Sequence, residues 1–242
     1  MRVLGADVWD GRWVGVVLDD AVDGAWVRAH TADSVTALVA AAQRDGPLAV
    51  VGLDIPIGLA EHGHRAADLA AREVLGARRS SVFVTPVRAA LRAATHAEAV
   101  ALSRAATGAG VSVQAYGLRA KVLEVDSWVR DLPAPAHRVV EVHPEVAFGR
   151  LAALTAGDGD GCLPLPDRKK SWAGATRRRA LLAGAGVVVP DEIGEAGRAA
   201  VDDVLDAAVV AWVALRVGRG VARPLPDPPQ VTPDGWPAAV WA

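Results

Sequence analysis

The chain has 242 residues, 52% of them apolar, enough for one large core, and its formal net charge of −2 gives no global attraction to nucleic acid. No run of about 18 uninterrupted apolar residues occurs, which excludes a transmembrane helix, and a single cysteine, Cys162, excludes an internal disulfide and a cysteine-built metal site. The opening residues MRVLGADVW read as a strand with no charged leader or cleavage site, so a cytoplasmic protein with no membrane partner is expected.

Val3–Trp9 and Arg12–Leu18 are β-rich runs joined by Asp10-Gly11, a dipeptide suited to the positive φ angles of a tight hairpin. Ala25–Thr31, after the turn formers Asp19-Asp20 and Asp23-Gly24, makes a third antiparallel strand. Asp33 or Ser34 can cap a helix over Val35–Arg44 that stops at Asp45-Gly46-Pro47. The continuous apolar run Leu48–Asp54 fits a strand covered on both faces. Residues 60–135 then turn helical, Ala-rich and Arg-rich, around a loop SSVFVTPVR. Arg138–Val142 returns to strand, Val146–Leu154 and Thr176–Ala183 read as helices, and Gly157–Pro166 as a loop in which Cys162 is incidental. Val201–Arg216 spaces Val201, Val204, Leu205, Ala208, Val209, Trp212 and Leu215 on one apolar helical stripe. From Arg223 the chain is proline-rich and reads as a surface-crossing tail, anchored by Trp236 and Trp241.

Three carboxylates interrupt the last helix. Asp206 lies three residues after Asp203 and four after Asp202, spacings at which like charges repel. The helix dipole accounts for Asp202 and Asp203 in the first turn, but not for Asp206 against AAVVAWVA. A divalent cation shared with acids from elsewhere would remove the repulsion.

Strands and helices in this order have the layout of a ribonuclease H-like fold. The expectation is an α/β domain over 1–242 with a mixed five-stranded sheet, the first three strands antiparallel and two more following, flanked by helices. A mainly helical insertion would span about 60–135 and the tail about 223–242. The first strand would lie beside the fourth, bringing Asp7 and Asp54 together, with the last helix delivering Asp203 and Asp206 to the same edge. Carboxylates meeting from separate elements suit two Mg²⁺ or Mn²⁺ ions, which prefer oxygen ligands.

The blocks GADVWDGRWVGVVL (5–18), VVGLDIPIGL (50–59), RAADLAAREVLGARRSSVFVTPVRAAL (65–91), VVEVHPEVAF (139–148) and VDDVLDAAVVAWVAL (201–215) resemble, in this order, the DUF429 family of predicted ribonuclease H-like nucleases. The resemblance implies a nuclease acting through Asp7, Asp54, Glu141 with Glu145, and Asp203 with Asp206. The last pair is similar in spacing to that of Holliday-junction resolvases, whose action would require a homodimer.

Each residue also has a structural reading. Asp7 could hydrogen-bond the hairpin and Asp54 cap a turn. Glu141 needs either an arginine or a metal if buried. His143, beside Glu145, could shuttle a proton or hold a structural hydrogen bond. In the inserted region Arg72, Arg78, Arg79, Ser80, Ser81 and Arg88 offer groups that grip phosphate oxygens, or that pair with Glu73 and solvate a helix end. Lys169, Lys170 and Arg177–Arg179 form a basic run, either a solvated face or a nucleic-acid contact, with Lys170 a candidate for substrate. The leading expectation is a metal-dependent phosphodiesterase on RNA, DNA or a hybrid. The alternatives are an actin-like kinase or switch binding a nucleotide or small phosphorylated ligand through GADVWDGRW, and a non-enzymatic binding module.

Overall fold

The computed structural model describes residues 1–20, 26–132, 138–232 and 235–242. β1 (Arg2–Trp9) and β2 (Arg12–Asp19) form the expected hairpin, with Asp10 and Gly11 at φ +47° and +71°. β3 (Trp26–Ala32) pairs antiparallel with β2; the Asp23-Gly24 turn and Ala25 lie outside the described residues. α1 (Val35–Gln43) starts where Ser34 accepts a hydrogen bond from Ala37 N. β4 (Val50–Leu53) runs parallel to β1, and β5 (Arg138–Val142) parallel to β4. Between them lie α2 (Ala66–Leu75), α3 (Arg88–Leu91), α4 (His96–Thr107), α5 (Val113–Gly117) and α6 (Arg119–Asp131). α7 (Pro144–Thr155), α8 (Trp172–Gly184) and α9 (Val201–Gly218) follow.

The sheet has seven strands rather than five, in the order β3-β2-β1-β4-β5-β7-β6. The two extra strands are the proline-rich tail, which forms β6 (Pro224–Val231) and β7 (Pro237–Trp241) instead of crossing the surface. β7 pairs parallel with β5 and antiparallel with β6. Proline costs a ladder hydrogen bond in a central strand, but β6 is outermost, where the missing N–H has no partner to lose. Trp236 and Trp241 pack against the two large cores, as anchors should.

α9 lies directly on β1 and β4. A Cβ on Gly5 would stand 2.0 Å from Ala211 N and 2.4 Å from Ala207 O, and one on Gly52 would stand 2.9 Å from Val210 Cγ1. Gly5 and Gly52 are in register, so the glycines form a shallow trough for the helix. Gly218, near the helix end, abuts Met1 and Val50, so α9 runs opposite to β1 and its acidic first turns overhang the strands' C-terminal ends. The expected single stripe is too narrow a description. Residues 204–215 of α9 are all buried, with Phe148 and Leu151 of α7 and Leu182 of α8 in the same core, while Val201 is exposed. α1 and α6 cover the opposite face, where Leu38, Val39, Val122 and Val125 meet Leu4, Val51 and Leu53. Each such Val or Leu contributes about 1.5–3 kcal/mol relative to exposure. No described helix is long and apolar enough to cross a membrane.

Candidate functional site

Asp7 and Asp54 each lie two residues beyond a trough glycine, so strand alternation turns both toward α9. Asp54 N donates to Ala6 O at 2.9 Å, which brings the two residues side by side. Asp7 Oδ1 accepts only from Val8 N, at 2.6 Å, and the carboxylate of Asp54 takes no hydrogen bond or ion pair from a described residue. Over them, Asp206 Oδ2 accepts from Lys169 Nζ at 2.6 Å, while its Oδ1 is buried without a partner. Asp202 Oδ2 lies 3.4 Å from the same ammonium, and Asp203 is half-buried beside it.

Burial and like charge act together on this group. Burial, then Asp54 and Asp206, push the Asp7 carboxyl well above its ordinary range, and burial and Asp206 do the same to Asp54. Burial raises Asp206 to about 6 despite Lys169, and burial and Asp202 raise Asp203. For Lys169, burial opposes the charge, but Asp206, Asp7 and Asp202 outweigh it and raise the ammonium above the ordinary lysine range.

Glu141 behaves differently. It pairs in register with Leu53 and so faces away from the trough. Of the two partners the sequence allows, the structure supplies the arginine. Arg65, 1% exposed, grips both Glu141 oxygens, the nearer one tightly and Oε1 at 3.3 Å, and Glu141 Oε2 also accepts from Ile57 N at 2.8 Å. Arg65 donates onward to Gly58 O, Ile57 O and Asp68 Oδ1, and Asp68 Oδ2 accepts from Thr85 N at 2.7 Å. This group pins the loop after Asp54 to the SSVFVTP loop.

Glu145, in the first turn of α7, accepts from Arg178 Nη2 at 2.5 Å and lies 3.6 Å from Arg78 Nη2. His143 Nε2 lies 3.4 Å from Ser81 O, its Nδ1 is buried without a partner, and burial lowers its pKa, which favours the neutral ring at pH 7.

These elements enclose a cleft of about 470 Å³ with Asp7, Asp54, Asp203 and Asp206 on one side and Arg78, Ser80, Ser81, His143 and Glu145 on the other. Arg168 and Lys169 line it as well, and so do Glu141, Asp68 and Thr85 of the Arg65 group. The remaining expected phosphate grips lie outside this lining. Arg72 donates to Val82 O at 2.6 Å and holds the loop from behind; Arg88 is buried against Glu61 and Asp126; Arg79 and Lys170 are exposed. The hairpin tip at Asp10-Gly11 is not part of the lining either. Sequence reasoning misses the cleft role of Lys169, the buried Arg178, and the Arg65–Asp68–Thr85 group. The signal for the last was present, since all three fall inside the block 65–91. Burial pushes the thiol of half-buried Cys162 up, away from the thiolate form.

No three His, Cys, Asp or Glu side chains among the described residues already stand as a metal-binding group. Comparison with curated proteins gives no match, and neither does comparison with solved structures. A family model described as "Protein of unknown function (DUF429)" matches residues 5–231, nearly the whole chain, and the protein therefore belongs to that family.

Proposed function

We propose that the protein is a divalent-cation-dependent phosphodiesterase acting on nucleic acid, on a ribonuclease H-like variant of the α/β fold. The observation that carries this reading is the imbalance at the cleft: Asp7, half-buried Asp54 and Asp206 share one lining, and the ammonium of Lys169 contacts only the last of the three. Buried carboxylates without partners are costly, and a site that keeps them is a functional candidate. The donor set fits Mg²⁺ or Mn²⁺, because all its free atoms are carboxylate oxygens, including the orphaned Asp206 Oδ1.

A bound dication polarises a phosphodiester and lowers the pKa of an attacking water. The chain's own groups do the rest. Asp7 and Asp54 would hold the ion, with Asp206 completing the set and half-buried Asp203 in the same lining. Glu141 acts indirectly, keeping the loop behind Asp54 in place through Ile57 N. Arg78 and Ser80 present donors for non-bridging oxygens, and Arg178 orients Glu145 on the facing wall. His143, neutral and with an unpartnered Nδ1, can accept a proton from the attacking water. No Ser or Cys nucleophile is required.

Calorimetric titration with Mn²⁺, on the wild type and on Asp7→Asn and Asp54→Asn, tests the reading, followed by a cleavage screen over RNA, DNA, hybrid and branched substrates. Uptake by the wild type, lost in both variants, is expected. Full turnover by Asp7→Asn, or no Mn²⁺ uptake with or without an oligonucleotide, would overturn it.

A further inference from the structure

Two carboxylates of α9 are already occupied by a cation of the protein's own. Lys169 Nζ lies 2.6 Å from Asp206 Oδ2 and 3.4 Å from Asp202 Oδ2, and these two acids are 2% and 7% exposed in their side chains. An ammonium is a compact point charge with three donors, so it can stand between oxygens much as a small metal ion does.

Its placement is not the wandering of a surface lysine. Ser171 N and Oγ both donate to Arg168 O, at 3.0 and 2.8 Å, and Ser171 Oγ then caps α8 by accepting from Gly174 N at 3.1 Å. The backbone here presses on α8 so closely that a Cβ on Gly174 would stand 2.0 Å from Arg168 O. On the preceding side, Asp167 O accepts from Arg178 Nη1 at 3.4 Å and Arg78 Nη2 at 3.5 Å. Lys169 is thus tied down on both flanks and reaches the acids from a fixed base. Asp206 Oδ1 takes no part in this contact and is buried without a partner, in the same cleft lining as Asp7 and Asp54.

We propose that Lys169 is the built-in second cation of this site, so that the cleft takes one divalent ion, at Asp7, Asp54 and Asp206 Oδ1, and not two. The inference rests on the phosphodiesterase reading and sharpens it. Asp206 is divided between two cations, one oxygen to each. The ammonium offers charge and donors to a phosphate oxygen, but not the strong acidification of water that a dication supplies. Attack and charge neutralisation are therefore assigned to different cations, the metal and the lysine.

The test is the number of Mn²⁺ ions bound per chain, read by calorimetry and by electron paramagnetic resonance on the intact protein. One ion is expected for the wild type and for Lys169→Arg, which keeps the charge. Lys169→Met frees Asp206 Oδ2 and Asp202, and should bind two. Two ions in the wild type would overturn the inference and leave the phosphodiesterase reading standing, whereas none, with or without an oligonucleotide, would overturn both. A folded Lys169→Met that still binds one ion would also overturn it. Should that variant fail to fold, Lys169→Gln carries the same expectation of two ions and the same refutation by one.

Discussion

Glu141 and Asp68 are buried beside Arg65 with their carboxylate oxygens matched by guanidinium, hydroxyl or backbone donors. Asp7 and Asp54, at the ends of the neighbouring strands, have one local backbone donor between them. Both groups are acidic and set back from solvent, with Asp54 the more open, yet one is finished as a protein structure and the other is not. In the finished group, burial pushes Glu141 up while Arg65 pulls it back, and the outcome is a clamp on two loops. In the unfinished one, burial and repulsion add. Sequence position does not separate them, since all these acids lie in family-like blocks. What separates them is whether the fold supplies enough counter-charge, and only the group left short keeps carboxylate oxygens without partners.

The sharpest way to break this contrast is to remove the clamp's own charge. Arg65→Met should cost about 3–5 kcal/mol in urea unfolding, because it strands two buried carboxylates; a cost below about 1 kcal/mol would show the clamp to be dispensable. Asp7→Asn should do the reverse. It should lower cleavage at least about 100-fold, beyond what loss of a merely supporting group costs, while the melting temperature at pH 8 holds or rises.

Gly5→Ala adds a methyl with no chemistry of its own, yet it must push α9 off β1. A destabilisation of about 1–3 kcal/mol together with weakened Mn²⁺ binding is expected; unchanged binding would mean that helix and strand acids act separately.

The most gradual effect is in pH. The Asp206 carboxyl sits at about 6 in the folded chain, against about 3.9 when unfolded. The folded state therefore holds more protons between about pH 4 and 6, and stability contributed by this group falls as pH rises through that window, by at most about 1.4 kcal/mol per unit. Asp206→Asn lacks this slope. Its urea midpoint relative to the wild type should climb from pH 4 to 6 and level off above; a flat difference would contradict the assignment.

Much of this was legible before any coordinates. Asp10-Gly11 predicts its hairpin because few dipeptides accept two positive φ angles, and the unbroken apolar run before Asp54 predicts a strand covered on both faces. The pairing of β1 with β4 then puts Asp7 beside Asp54. Other features leave no local trace. Arg65 and Glu141 are 76 residues apart, and nothing in either neighbourhood names the partner. Lys169 and Lys170 are adjacent in a non-periodic loop, where no alternation says which one turns inward. The tail misleads because proline normally argues against a strand, and the exception, an outermost position, is a property of the whole sheet.

That outermost strand has a consequence for how copies of the chain can meet. Pro224, Pro226, Pro228 and Pro229 remove backbone donors along β6, so this margin is a poor template for an incoming strand from another molecule. Self-templated growth of the sheet is thereby discouraged on the side where the chain ends. Any dimer formed by backbone pairing would have to add at β3, the opposite margin, with its seam beyond β2 from the paired aspartates.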